Sequence, residues 1–277
     1  MKIVHISDLH YPEHEGTERL IDKIINHYRE EQLKPIVVCS GDILDTPPKI
    51  GHESNYTEIA RILKKLKTKN FNILICPGNH DLKKGGVKKR KKIYSNLINF
   101  SNNYSSILPS NSNIYRENNN NLMEYPVIHK FDNHFFIGLN SITYQPKSAK
   151  GMLGKEQLKK LEIEVLKIKE NNENPVIIVY LHHNPLSFHV NVPRVPDFGD
   201  RIVTNKLKLI DRKSLLKVVN GINVLLFGHL HRNKRQTEFE SKYNINCIQL
   251  TGGSTDENYE FWTEIDTSTY EIIEFPL

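Results

Sequence analysis

The sequence has no long hydrophobic run. The longest unbroken apolar stretch is VIIVYL at 176–181, whereas a membrane-spanning helix needs about 20 such residues. The opening MKIVHISDLH reaches a histidine at residue 5 and an aspartate at residue 8. It lacks the longer apolar core of a secretory signal, so the expectation is a cytoplasmic protein with no membrane partner. Cysteine is scarce: Cys39, Cys76 and Cys247 are an odd set with no close spacing. That argues against a disulfide framework and against a zinc knuckle, and it reads as buried thiols in a reducing compartment. There is no internal repeat and no clear linker, so residues 1–277 read as one domain. Nor does one sign of charge dominate. Basic side chains number 38 and acidic ones 32, for a net +6. Part of the excess lies in KKGGVKKRKK at 83–92, which fits either a solvated face or a rim that meets a polyanion.

What is present is an alternation of apolar runs and amphipathic stretches. KIVHI at 2–6, PIVVC at 35–39 and FNILI at 71–75 read as strands, with helices over about 17–32 and 55–69 between them. This β-α-β-α-β order implies parallel strands with right-handed crossovers. A further helix is expected over 88–103. The Asn-rich 111–122 reads as an exposed, structureless loop. A hairpin follows at 125–129 and 134–140, then a helix over 154–171 and a strand at 175–181. A Pro-containing loop leads to a short helix near 211–219 and the strand INVLLF. The tail from about 236 reads as three or four strands.

The polar residues concentrate at the strand ends. Asp8 and His10 follow the first strand and Asp42 the second. Asn79, His80 and Asp81 follow the third. His182 and His183 end a fourth, and His229 and His231 a fifth. In parallel sheets, sites lie at the carboxyl ends of strands. A lone histidine there is more often structural than functional. Five strands ending this way call for a shared centre, because buried polar groups without partners are costly. The donors are carboxylates, an amide and imidazoles, with no thiolate, which suits Mn, Fe, Zn or Ni rather than a closed structural zinc site. Seven or so donors are too many for one catalytic ion with open positions. They suit two ions about 3.5–4 Å apart.

The motifs SDLH, SGDILD, PGNHD, LHHNP and GHLH, in this order over residues 7–231, resemble the calcineurin-like metallophosphoesterase family. The resemblance implies a four-layer α/β/β/α sandwich: two mixed sheets flanked by helices. It implies two divalent ions, drawn from Mn, Fe, Zn and Mg with Mn or Fe favoured. One would be held by Asp8, His10 and His231, the other by Asn79, His182 and His229, with Asp42 shared. It implies that His80 lies near the substrate phosphate as an acid for the leaving oxygen, oriented by Asp81, and that hydrolysis proceeds by attack of a metal-activated hydroxide. His183 is left as a supporting or structural residue, and Asp45 as either a supporting residue or a turn cap. Asn79, His80, Arg194 and Arg201 are candidates for substrate contact.

Two substrate classes share such a centre. The contexts LHHNP and GHLHR, with the modest length, are similar to the small cyclic-nucleotide phosphodiesterase branch, whose partner is a small phosphodiester. MKIVHISDLH and GDILDTPP are also similar to the double-strand-break repair nucleases, and the basic run 83–92 could meet nucleic acid. Those nucleases usually carry a capping domain, for which the roughly 45 residues after His231 leave little room. A phosphomonoesterase or protein phosphatase is a third possibility. A non-catalytic scaffold is a fourth, though no motif residue is lost. The oligomeric state is not legible from one sequence.

Overall fold

The computed structural model describes residues 1–13, 16–47, 54–83, 90–110, 114–117, 120–143, 149–186, 209–230, 234–250 and 261–276. One mixed sheet contains β1 (Lys2–Ile6), β2 (Ile36–Cys39), β3 (Asn72–Ile75), β12 (Phe261–Asp266) and β13 (Ile272–Pro276), in the order β13-β12-β1-β2-β3. β1, β2 and β3 are parallel, and β12 runs antiparallel to β1. The second sheet contains β6 (Val127–Phe131), β7 (His134–Gly138), β8 (Val176–Leu181), β9 (Val224–Phe227), β10 (Lys234–Arg235) and β11 (Cys247–Leu250). Its order is β10-β11-β9-β8-β7-β6, parallel from β7 through β11.

Why these strands are apolar throughout follows from three cores. Successive side chains of a strand point to opposite faces. Ile3, Val38 and Leu74 of the first sheet meet Ile178, Tyr180 and Leu226 of the second in a core between the sheets. Their neighbours Val4, Val37 and Ile73 point outward, onto the helices α1 (Gly16–His27), α2 (Ser54–Thr68) and α4 (Arg90–Tyr104). On the far side, Ile177, Val179 and Leu225 pack under α5 (Lys155–Asn171) and α6 (Arg212–Val218). Both faces of each sheet are covered, so continuous apolar runs replace the alternation of a half-solvated sheet. The helices carry the matching stripe. α1 buries Leu20, Ile21 and Ile24, and α5 buries Leu158, Leu161, Val165 and Ile168. Each such side chain contributes about 2 kcal/mol. The four-layer α/β/β/α sandwich expected from the motifs is the observed architecture.

Two local expectations fail. Part of the Asn-rich 111–122 is not a loop: β4 (Ile114–Glu117) and β5 (Asn120–Met123) form a two-stranded antiparallel sheet. Asparagine is depleted in strands, so composition points to a loop, and the backbone pairing of 114–117 with 120–123 overrides it. The tail is not all strand either, since α7 (Thr237–Tyr243) precedes β11. Glu238 and Glu240 lie in its first turn, where the helix dipole favours acids. Asn244 ends it in the left-handed conformation, with φ 51°. Phe239 and Tyr243, one turn apart, pack onto the core under the second sheet. Seven residues are too few to separate a helical from an extended period by eye.

A buried histidine in β1 makes one prediction. His5 is fully buried, with Nε2 2.8 Å from Ser40 Oγ. Burial alone pushes its pKa down to about 3. The folded value lies below the unfolded one, so the unfolded chain takes the proton first as pH falls. Stability is therefore present above about 6.5 and lost progressively towards about 3. In metal-free protein, His5 alone should cost about 2 kcal/mol between pH 7 and pH 5. Urea unfolding of wild type and His5→Gln at the two pH values checks this. The variant should show a pH dependence shallower by that amount, and equal slopes would contradict it.

Candidate metal centre

The loops after β1 and β2 leave the first sheet side by side. Asp8 N–H donates to the Gly41 carbonyl at 2.9 Å, His10 N–H to Asp42 at 3.0 Å and Tyr11 N–H to Ile43 at 2.9 Å. Asp45 N–H returns to Tyr11 at 3.0 Å. This ladder fixes the aspartates and His10 relative to one another, 34 residues apart in sequence. The backbone is strained there. Asp8, His10, Asp42 and His229 have φ of 54°, 47°, 50° and 75°, a left-handed region costing about 1 kcal/mol or more for a residue with a Cβ. Elsewhere among the described residues, non-glycine positions of this kind are mostly Asn or Asp in turns. Two glycines allow the close approach. A Cβ on Gly78 would lie 2.1 Å from Asp42 Oδ1, and one on Gly228 would lie 2.7 Å from Asp8 Oδ2.

Donor atoms converge on His182, which ends β8. Its Nδ1 lies 2.9 Å from the Ser40 carbonyl, so Nδ1–H donates there and Nε2 faces the site. Around Nε2 stand Asp42 Oδ2 at 3.1 Å, His229 Nδ1 at 3.0 Å and Asn79 Oδ1 at 3.3 Å. All four residues are buried. Burial works against charge on His182, but the Asp42 carboxylate, with Asp8 and the Ser40 carbonyl, outweighs it and lifts the pKa to about 9. Burial likewise opposes ionisation of Asp42, and His182 beside it holds its pKa well below the ordinary carboxylate range. A second group shares Asp42: donor atoms of His10, Asp42 and His80 lie within 4.8 Å of one another. Asp8 accepts the His229 N–H with both oxygens at 3.1 Å and the Ser7 hydroxyl on Oδ2.

The residues after β3 divide their work. α3 (Asn79–Leu82) is a single turn. Asn79 turns into the donor cluster, while His80 N–H donates to Asp42 Oδ1 at 2.7 Å. The His80 ring stands edge-on to His10, centroids 4.5 Å apart, and its side chain keeps 24% exposure. Its Nδ1 lies 3.0 Å from the Asp45 carbonyl and 3.3 Å from Asp45 Oδ1. Asp81, the partner expected for His80, points elsewhere. Its carboxylate accepts Leu44 N–H and Gly78 N–H, both at 2.8 Å, and so ties the β2 and β3 loops together. Burial, with the Asp42 charge, raises the Asp81 pKa to about 7. The orienting contact is Asp45, three residues beyond Asp42 in SGDILD. From the motif alone, Asp45 is expected only as a supporting residue or a turn cap.

His183 packs against the rings of His229 and His182, with centroids 4.6 and 5.1 Å away. Its Nδ1 is 2.8 Å from Ser141 Oγ, and its ring lies so close to Gly151 that a Cβ there would come within 2.4 Å. Burial first, then His229 and His182, keeps it neutral. The first residue of the basic run 83–92 differs from the solvated face or polyanion rim expected of that run. Lys83 is buried, donates to Thr143 Oγ1 at 3.1 Å, and has its pKa pushed down to about 8 by burial. Its signal was its place one helical turn after Asn79. His231, Arg194 and Arg201 lie outside the described residues, as do 84–89 of the basic run.

Does this donor set fit divalent ions? Imidazole nitrogens, carboxylate oxygens and an amide oxygen point at one another across about 3 Å, with an anionic carboxylate at the middle. Those are the hard and borderline ligands of Mn, Fe or Zn sites. The second ring nitrogen of His182 is provided for, as metal-binding imidazoles require: its Nδ1–H donates to the Ser40 carbonyl.

A family model described as calcineurin-like phosphoesterase matches residues 1–233. The chain is 26% identical, over 284 aligned positions and 90% of its length, to a DNA double-strand break repair protein Mre11 of Methanococcus maripaludis. A solved Staphylococcus aureus structure, assigned as a 5'-nucleotidase in complex with alpha-ketoglutarate, superposes over 99% of the chain with a TM-score of 0.54 at 14% identity. That second likeness is one of fold. The chain spans 66% of the first protein and 52% of the second.

Proposed function

This chain belongs to the calcineurin-like phosphoesterase family, and on that premise we propose that it is a binuclear metal-dependent phosphodiester hydrolase of small, nucleotide-type substrates. The observation that carries the reading is the convergence of Asp42, Asn79, His182 and His229, with His10 and His80 on the other side of the shared Asp42. We assign Asp8, His10 and His231 to one ion and Asn79, His182 and His229 to the other, with Asp42 serving both. Manganese or iron is the favoured metal, and the cytoplasm the favoured compartment. Among the described residues no helix is long and apolar enough to cross a membrane. When bound, such ions polarise phosphoryl oxygens and lower the pKa of water towards neutrality.

The chain's own residues supply the rest. Asp42 stays ionised at neutral pH and keeps the site anionic enough to hold two dications. His80 approaches the leaving oxygen, with Asp45 fixing its ring, and donates a proton as the P–O bond breaks. The incoming water oxygen forms the new P–O bond and gives up its proton to solvent. Asn79 and His80 also face the scissile phosphate. Arg194 and Arg201 are proposed contacts of lower rank.

A second reading is a nuclease. It is favoured by the 26% identity to Mre11 over nine-tenths of the chain, and the basic run at 83–92 suits a nucleic-acid backbone. One panel separates the readings: bis-p-nitrophenyl phosphate, its monoester analogue, cyclic AMP, cyclic GMP, and single- and double-stranded DNA, each with Mn, Mg, Fe and Zn. Turnover of cyclic nucleotides without DNA cleavage supports the first reading. Salt-sensitive DNA cleavage replaces it with the second. Hydrolysis of the monoester alone overturns both.

A further inference from the structure

We infer that Lys83 is a substrate-binding residue whose ammonium contacts a non-bridging oxygen of the phosphoryl group, held in place by the Thr143 hydroxyl. The inference takes the identity of the anion from the hydrolase reading above. Lys83 is tied to the centre at both ends. Its backbone N–H donates to the Asn79 carbonyl at 2.8 Å, which sets it one helical turn beyond that candidate ligand, on the same side of the turn. Its Nζ is 3.1 Å from Thr143 Oγ1, and Thr143 is almost fully buried. Thr143 lies two residues after Ser141, whose Oγ is 2.8 Å from His183 Nδ1, and His183 adjoins the candidate ligand His182. The ammonium is thus placed between the segment that carries Asn79 and the segment that carries His182.

A lysine usually keeps its charge in water and lays only its stem along the protein. Lys83 does the opposite, with 8% of its surface exposed. Burying an ammonium is costly unless an anion compensates it, and the carboxylate that acts on it, Asp42, is also the one that both donor groups share. A phosphoester entering beside Asn79 would add a second anion within reach of the same ammonium. Lysine suits this task because its compact charge can follow a phosphoryl oxygen without a fixed fork geometry. The residue would then act on substrate affinity and on the choice between esters of different charge, not on metal binding.

The test uses the full chain loaded with Mn. Inorganic phosphate is titrated calorimetrically into wild type, Lys83→Met, Lys83→Arg and Thr143→Val. Metal content is measured on the same samples, and KM and kcat on bis-p-nitrophenyl phosphate. Lys83→Met is expected to weaken phosphate binding about tenfold to a hundredfold and to raise KM, with metal content unchanged. Lys83→Arg should recover part of the loss, and Thr143→Val should fall between. A metal-replete Lys83→Met that binds phosphate within twofold of wild type overturns the inference, as does a loss of metal that tracks the loss of phosphate. If Lys83→Met does not fold, unchanged affinity in Thr143→Val overturns it instead. Failure of the functional reading looks different: no ester in the panel is hydrolysed, while phosphate still binds in a Lys83-dependent way.

Discussion

Asp42→Asn is expected to abolish hydrolysis of bis-p-nitrophenyl phosphate, with a loss well beyond a hundredfold. Removing a group that merely supports a metal ligand costs about 10–100-fold. Asp42 is shared by both donor groups, so its loss damages two sites at once. The substitution is nearly isosteric. Asparagine keeps an oxygen for the His80 N–H, now 2.7 Å from Asp42 Oδ1, so the fold has reason to survive. What disappears is the negative charge, which burial disfavours and which His182 stabilises. Its removal also takes away the main influence that lifts the His182 pKa against burial. The check is turnover together with metal content and thermal unfolding. Near-normal turnover in a folded Asp42→Asn protein refutes the shared role. Loss of activity with full metal retained would place Asp42 in the chemistry and not in metal binding.

His80→Ala should lower turnover by about a hundredfold or more while metal stays bound. The geometry separates His80 from the donor cluster in two ways: it is the more exposed side chain, and Nδ1 is committed to Asp45. An acid matters most when the leaving group is poor. The loss should therefore be larger on a dinucleotide or cyclic nucleotide than on bis-p-nitrophenyl phosphate, whose phenolate leaves readily. Asp45→Asn should reproduce a weaker form of the same pattern, because it alters the group that fixes the ring. Metal loss in parallel with activity would make His80 a ligand alongside His10 and Asp42, whose donor atoms lie within 4.8 Å of its own.

The strand ends were legible in the sequence because the motifs are local. A strand, a turn and a polar residue lie within about ten residues, and parallel strands bring such ends together whatever the loops do. The orientation of His80 was not legible. Asp81 is its neighbour in sequence, but the ring meets Asp45, 35 residues away, through the pairing of the β1 and β2 loops. Asp81 is occupied by two backbone amides that no local pattern announces. Lys83 reads as the start of a basic run that is either a solvated face or a polyanion rim. Its ammonium meets Thr143, 60 residues away in the segment that follows β7, a contact no local pattern announces. Short elements such as α7 and the β4–β5 pair are not legible in the sequence, because their composition resembles that of loops.

The most direct measurement of the central claim is a metal titration of metal-depleted protein, reading bound ions by mass spectrometry and turnover of bis-p-nitrophenyl phosphate in parallel. The account predicts no turnover in the depleted protein, activity restored by Mn or Fe, and about two ions per chain at saturation. Fewer than about one ion per chain, or turnover that survives depletion, would contradict it.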